Sequence, residues 1–173
     1  YFTREQFRVP LKFGTGAITH ITCAHVEVEA EGAGRTATGR GCILLSDLWA
    51  WPSDKLSHEQ RDQAMKRAVE VCAEALAEIG KQPAEPLDIS WELKAALSDI
   101  AGRVQEELGL AEPVPVLAVQ VCASPADAAL HDAAGRLAER SSYDIYGPDF
   151  CSRDLSAYLG DRFRGRYLAD FLR

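Results

Sequence analysis

The chain has 173 residues, 47% of them hydrophobic and 26% charged, with a formal net charge of −7. That length and balance fit a globular domain burying roughly 70% of its unfolded surface, and they exclude a disordered segment. The acidic balance excludes a nucleic-acid binder, which needs a basic footprint; the Arg162, Arg164, Arg166 and Arg173 cluster is flanked by Asp161 and Asp170 and reads as a solvated surface.

Residues 7–45 read as a β-meander. Val9-Pro10-Leu11-Lys12-Phe13 is extended, and Gly14-Thr15-Gly16 is a flexible link. Ile18, His20, Thr22, Ala24, Val26 and Val28 then alternate with Thr19, Ile21, Cys23, His25, Glu27 and Glu29. Only the second set turns charged, at its end, so one face is buried and the other becomes wet. Glu31-Gly32-Ala33-Gly34 supplies a turn. Residues 35–45 form the returning strand, where Gly39 and Gly41 mark a bulge or a close backbone approach. Residues 46–55 form a loop whose Trp49 and Trp51 read, on residue grounds alone, as a lid over the domain's own core.

Helices follow. Ser57 and Gln60 make a capping box, and Ala64, Ala68, Val71, Cys72, Ala75, Leu76 and Ile79 recur at helical spacing until Gly80. After a link at 83–86, Leu93, Leu97, Ile100, Ala101, Val104 and Leu108 stripe a second helix that Gly109 closes. Residues 114–122 are apolar almost throughout and fit either a buried strand or a buried short helix. Ser124 as N-cap, Pro125 at the first helical position and Asp127 in the first turn open a third main helix. Beyond Arg140 the chain is irregular apart from a short helix ending at Gly160. Strands followed by helices give an α+β fold, with helices on one face of a small antiparallel sheet.

Catalytic signatures are scarce. There is no GxSxG elbow, no phosphate-cradling loop and no HExxH. His20 and His25 fall on opposite faces of one strand and cannot share a metal; His58 sits at a helix start and reads as solvated. His131 and Asp132 are helical neighbours that point roughly 100° apart, so they read as structural tethers rather than a dyad. Asp144, Asp149 and Asp154 lack the alternating oxygen ligands of a calcium loop. Cys23, Cys42, Cys72, Cys122 and Cys151 are odd in number, scattered and without a CxxC pair. Neither zinc nor a disulfide framework is indicated, and reduced, mostly buried thiols in a cytoplasmic protein are the expectation. No apolar run is long enough to span a bilayer and no basic-then-apolar leader opens the sequence, so no membrane partner is expected.

Several short motifs recur in a familiar order: Arg8-Val9-Pro10-Leu11 at strand entry, Val26-Glu27-Val28, Gly39-Arg40-Gly41, a tryptophan loop, and Ala128-Ala129-Leu130-His131-Asp132-Ala133-Ala134-Gly135. Together they resemble the N-terminal capping domain of the enolase superfamily, on its mandelate racemase and muconate-lactonizing side. The resemblance implies a three-stranded antiparallel meander (about 7–45) followed by a helical bundle (about 57–140) and a junction segment (141–173), all in one capping domain over 1–173. It also favours helix for residues 114–122. Two departures stand out: Cys42 replaces the glutamate that often follows "G-x-G", and the 143–163 stretch is longer and more aromatic than a usual junction.

In that family the catalytic residues and Mg²⁺ lie on a barrel following the cap, where a proton α to a carboxylate is abstracted. The resemblance therefore implies a Mg²⁺-dependent lyase or isomerase as parent, its barrel as partner in the same chain, and assembly into a homo-oligomer. It implies no catalytic residue, metal ligand or cofactor within this stretch, which ends at Arg173, about where such a barrel begins, and which starts at Tyr1 as a trimmed product would. The two loops that cover the barrel mouth correspond to 12–19 and 48–53. The implied substrate-capping residues are Lys12, Phe13, Gly14, Trp49 and Trp51, with Lys12 meeting an anionic group. The rival reading is a stand-alone α+β module holding a ligand or peptide through the Trp49/Trp51 loop and the 143–158 aromatics.

Overall fold

A computed structural model describes residues 1–13, 16–32 and 34–172; Gly14 and Thr15 of the expected link, Ala33 of the turn and the terminal Arg173 lie outside them. Three strands, β1 (Phe2–Phe13), β2 (Gly16–Gly32) and β3 (Arg35–Leu44), form an antiparallel sheet in the order β1-β2-β3. Five α-helices follow among the described residues: α1 (Asp47–Ala50), α2 (His58–Ile79), α3 (Pro86–Leu108), α4 (Val116–Leu137) and α5 (Ser156–Leu159). The fold is α+β.

The sheet starts at Phe2, earlier than the expected residue 7, because Phe2 pairs with Ala24 and packs on the core. The β1–β2 register slips between Gln6 and Leu11. Pro10 lies inside that bulge, where its missing N–H costs no ladder bond. Ala24 and Val26 face the helices, and below them Leu45, Trp51, Met65, Cys72, Leu97, Val104 and Val119 close one core.

Helix α2 carries the capping box read from the sequence: Gln60 N–H donates to Ser57 Oγ (3.3 Å) and Ser57 N–H donates to Gln60 Oε1 (2.9 Å). Helix α3 ends at Gly109 in a left-handed turn, φ 58°.

The apolar run at 114–122 is helical, but no new helix starts at Ser124. Instead α4 runs unbroken from Val116 through Pro125. Proline removes the N–H that would bond the carbonyl of Val121. Ser124 Oγ supplies the replacement, donating to that carbonyl at 2.8 Å. A serine that reads as a cap thus repairs a helix interior.

Gly39 and Gly41 resolve to close approach rather than to a bulge. A Cβ on Gly39 would lie 2.0 Å from Ala129 O, and one on Gly41 2.1 Å from Pro125 O. Helix α4 therefore rests backbone to backbone on β3. Asp132 Oδ2 fixes the contact by accepting from the Arg40 N–H at 2.9 Å.

Beyond α4 the chain folds back in 3-10 turns around Ile145, Tyr146 and Cys151, packed against Leu87, Ala134 and Leu168. No helix among the described residues is long and apolar enough to cross a membrane.

Candidate functional site

Beyond its last β3 pair, at Cys23, β2 continues with only β1 beside it, to the hairpin end at Phe13 and Gly16. At the same end β3 hands over to residues 46–56, where Leu45 N–H donates to Thr22 O (2.8 Å). The start of α2 stays with them, the His58 ring meeting His20 edge-on at 6.2 Å. The two segments expected to act together thus lie at one end of the sheet.

Within the second segment the two tryptophans part company. Trp49, on α1, is 52% exposed; Trp51 is 1% exposed in the core, its Nε1–H donating to Glu112 Oε1 at 2.9 Å. Trp51 is therefore the lid over the domain's own core, and only Trp49 faces outward. Lys12 is exposed at the end of β1, while Gly14 lies outside the described residues. A hydrogen bond from Ser53, and against a burial cost one from Trp51, hold the Glu112 carboxyl below the usual carboxylate range.

A buried ion pair holds this segment in shape. Asp47 Oδ2 accepts from Arg61 Nε at 2.9 Å, and both residues are enclosed. Arg61 also donates through Nη1 to the carbonyls of Ser53 and Leu56, tying three points of the 46–56 turn to α2. His58 is not simply solvated: its Nδ1 lies 3.0 Å from the same Asp47 oxygen, with the side chain 45% exposed.

His131 and Asp132 serve different neighbours. While Asp132 caps β3, His131 Nδ1 pairs with Tyr146 Oη (2.6 Å) and its Nε2 with Ser90 Oγ (3.1 Å). Ser90 in turn donates to Asp127. Burial pushes the Asp127 carboxyl up, but the bonds from His131 and Ser90 outweigh it and leave it below its usual value. Burial, followed by the Asp127 carboxylate, pushes the Tyr146 hydroxyl up to about 12. Ser, His and Asp are together here, yet a tyrosine, not a carboxylate, sits on Nδ1 and the serine hydroxyl is spent on Asp127. That arrangement ties α3, α4 and the C-terminal turns together rather than activating a nucleophile. Beside it runs a groove of about 470 Å³ between α3, α4 and α5, lined in part by Trp91, Leu97, Asp127, Tyr158 and Leu159.

One cluster escaped sequence reasoning. Cys23, His25 and Cys42 each place a ligand-capable atom within 4.8 Å of the other two, the one such group among the described residues. Burial, and next the Cys42 thiol and Glu5 carboxylate, push the Cys23 thiol up. Its signal was available: a Cys-x-His pair shares one strand face, and the register set by the 32–35 turn brings Cys42 opposite His25.

No protein-family model, curated protein or solved structure matches this chain.

Proposed function

We propose that this chain is the capping part of an enolase-type protein, shaping the substrate entrance of a barrel built by other residues. The observation that carries the reading is that the hairpin end and the 46–56 segment lie towards the same end of the sheet, with Trp49 exposed on the latter. Leu11 and Leu44, 49% and 41% exposed, add apolar surface at that end which a covering partner would bury. Lys12 and Trp49 then form the side facing substrate, and Trp51 with the Asp47–Arg61 pair forms its rigid support. Closure over the mouth excludes water and selects the substrate's distal group.

On this reading Mg²⁺ belongs to the barrel, where it would supply Lewis-acid stabilisation of the charge that develops on a carboxylate substrate. The donors gathered here, two thiols and an imidazole, do not fit that hard cation. The barrel is the partner, and the parent assembles as a homo-oligomer in the cytoplasm. The test is the reading frame past Arg173: alternating strands and helices with acidic residues at three strand ends are expected, and a stop codon directly after it overturns the proposal. Calorimetric titration of the chain alone with Mg²⁺ is expected to give no binding heat, and micromolar affinity would count against the cap reading.

The groove beside Trp91 and Tyr158 favours the second reading, a module that holds a ligand of its own.

A further inference from the structure

The face of the sheet turned away from α4 carries Cys23 and His25, two apart on β2, and Cys42, directly opposite His25 on β3. Cys23 is buried, His25 half-buried and Cys42 exposed, so the group is closed from below and open on one side. His25 is held from two directions. Tyr1 stacks on its ring at 4.6 Å between centroids, and Thr3 Oγ1 lies 3.0 Å from Nε2. The Thr3 hydroxyl hydrogen is already given to Glu5 Oε1, at 2.7 Å. Thr3 Oγ1 can therefore only accept from His25, which makes Nε2 the protonated nitrogen and leaves the lone pair on Nδ1. A carboxylate–hydroxyl–imidazole chain of this kind is how metal-binding histidines are oriented and made more basic.

We infer that Cys23, His25 and Cys42 bind one thiophilic divalent ion of the Zn²⁺ type, with a fourth position left to water or an added ligand on the Cys42 side. Two thiolates and an imidazole are a soft-to-borderline donor set. Zn–S bonds of about 2.3 Å set the sulfurs roughly 3.8 Å apart around a tetrahedron, within reach of side-chain rotation from the present spacing. A disulfide is the less favoured outcome: the two cysteines are diagonal rather than opposite. Diagonal Cβ atoms stand well beyond the roughly 3.8 Å that a disulfide requires. On binding, both thiols lose their protons to the buffer and no electron is transferred.

The experiment titrates the reduced chain with Zn²⁺, and with Co²⁺ as a spectroscopic probe. One ion per chain is expected, with the visible bands of tetrahedral Co²⁺, a thiolate charge-transfer band and release of about two protons. Zn²⁺ should also protect Cys42 from iodoacetamide in the unaltered chain. Cys42→Ser should abolish half of the charge-transfer intensity and weaken binding by more than 100-fold, with the fold checked by circular dichroism. Thr3→Val, removing a positioning residue, should weaken it by about 10- to 100-fold while leaving the band in place. Absence of the thiolate band, unchanged affinity in Cys42→Ser, or a Cys23–Cys42 disulfide in protein isolated without reductant each overturns the proposal.

Discussion

Gly39 and Gly41 set how near α4 comes to β3, since carbonyls of Ala129 and Pro125 occupy the space a side chain would need. Backbone cannot rotate aside as a side chain can, so even one methyl must push the helix off the sheet. Gly41→Ala is expected to cost about 3 kcal/mol, the upper end of overpacking penalties, read as a lower urea midpoint with an unchanged slope. The two glycines were legible as special but not as to kind, because a strand glycine signals a bulge and a close approach alike. Ser124 illustrates the same limit. Ser-Pro-x-Asp has the chemistry of a helix start, and only the length of α4 on both sides turns the serine into the hydroxyl that satisfies Val121.

At the level of elements, the 46–56 segment owes its shape to α2. Arg61 is enclosed with Asp47, and its removal strands a buried carboxylate beside the half-exposed His58. Arg61→Met is therefore expected to destabilise by about 3–5 kcal/mol in denaturant titration. Pairing it with Asp47→Leu should recover much of that loss, because an apolar pair leaves no charge uncompensated. The strands, α2 and α3 were readable because alternation, a capping box and terminal glycines mark them locally. The buried pair was not, since Asp47 and Arg61 look like ordinary surface residues until α1 folds over the start of α2. The Trp49–Trp51 split was equally hidden: both lie in one loop by sequence, and only Glu112, 61 positions away from Trp51, decides which turns inward. Cys23, His25 and Cys42 needed the strand register as well as the strands.

Across the whole molecule, buried acids that stay neutral govern the response to base. Burial pushes the Cys72 thiol from 9.0 up to about 12, and Tyr146 from 10.0 up to about 12. Both values are raised on folding, so the native state holds protons that the unfolded chain gives up. Their contribution is complete below the unfolded values and is lost as pH climbs from about 9 towards 12. The melting temperature should stay level up to pH 9 and then fall, with Tyr146→Phe showing a shallower decline above pH 10. An unchanged decline in that variant would remove Tyr146 from the account. At the acid end the Arg67 and Arg103 hydrogen bonds hold Glu107 at about 2, so its smaller, salt-screened contribution is complete above pH 4.5 and is lost as pH falls from there towards 2.

The slipped register around Pro10 has a consequence for crowded solutions. A fibril grows by laying one flat strand along another, which calls for an uninterrupted row of donors and acceptors on an outer rim. One rim here is broken by a proline-bearing kink, and on the other a donor is already taken by a carboxylate from a helix. Edge-to-edge addition of strands between copies of this chain is therefore disfavoured.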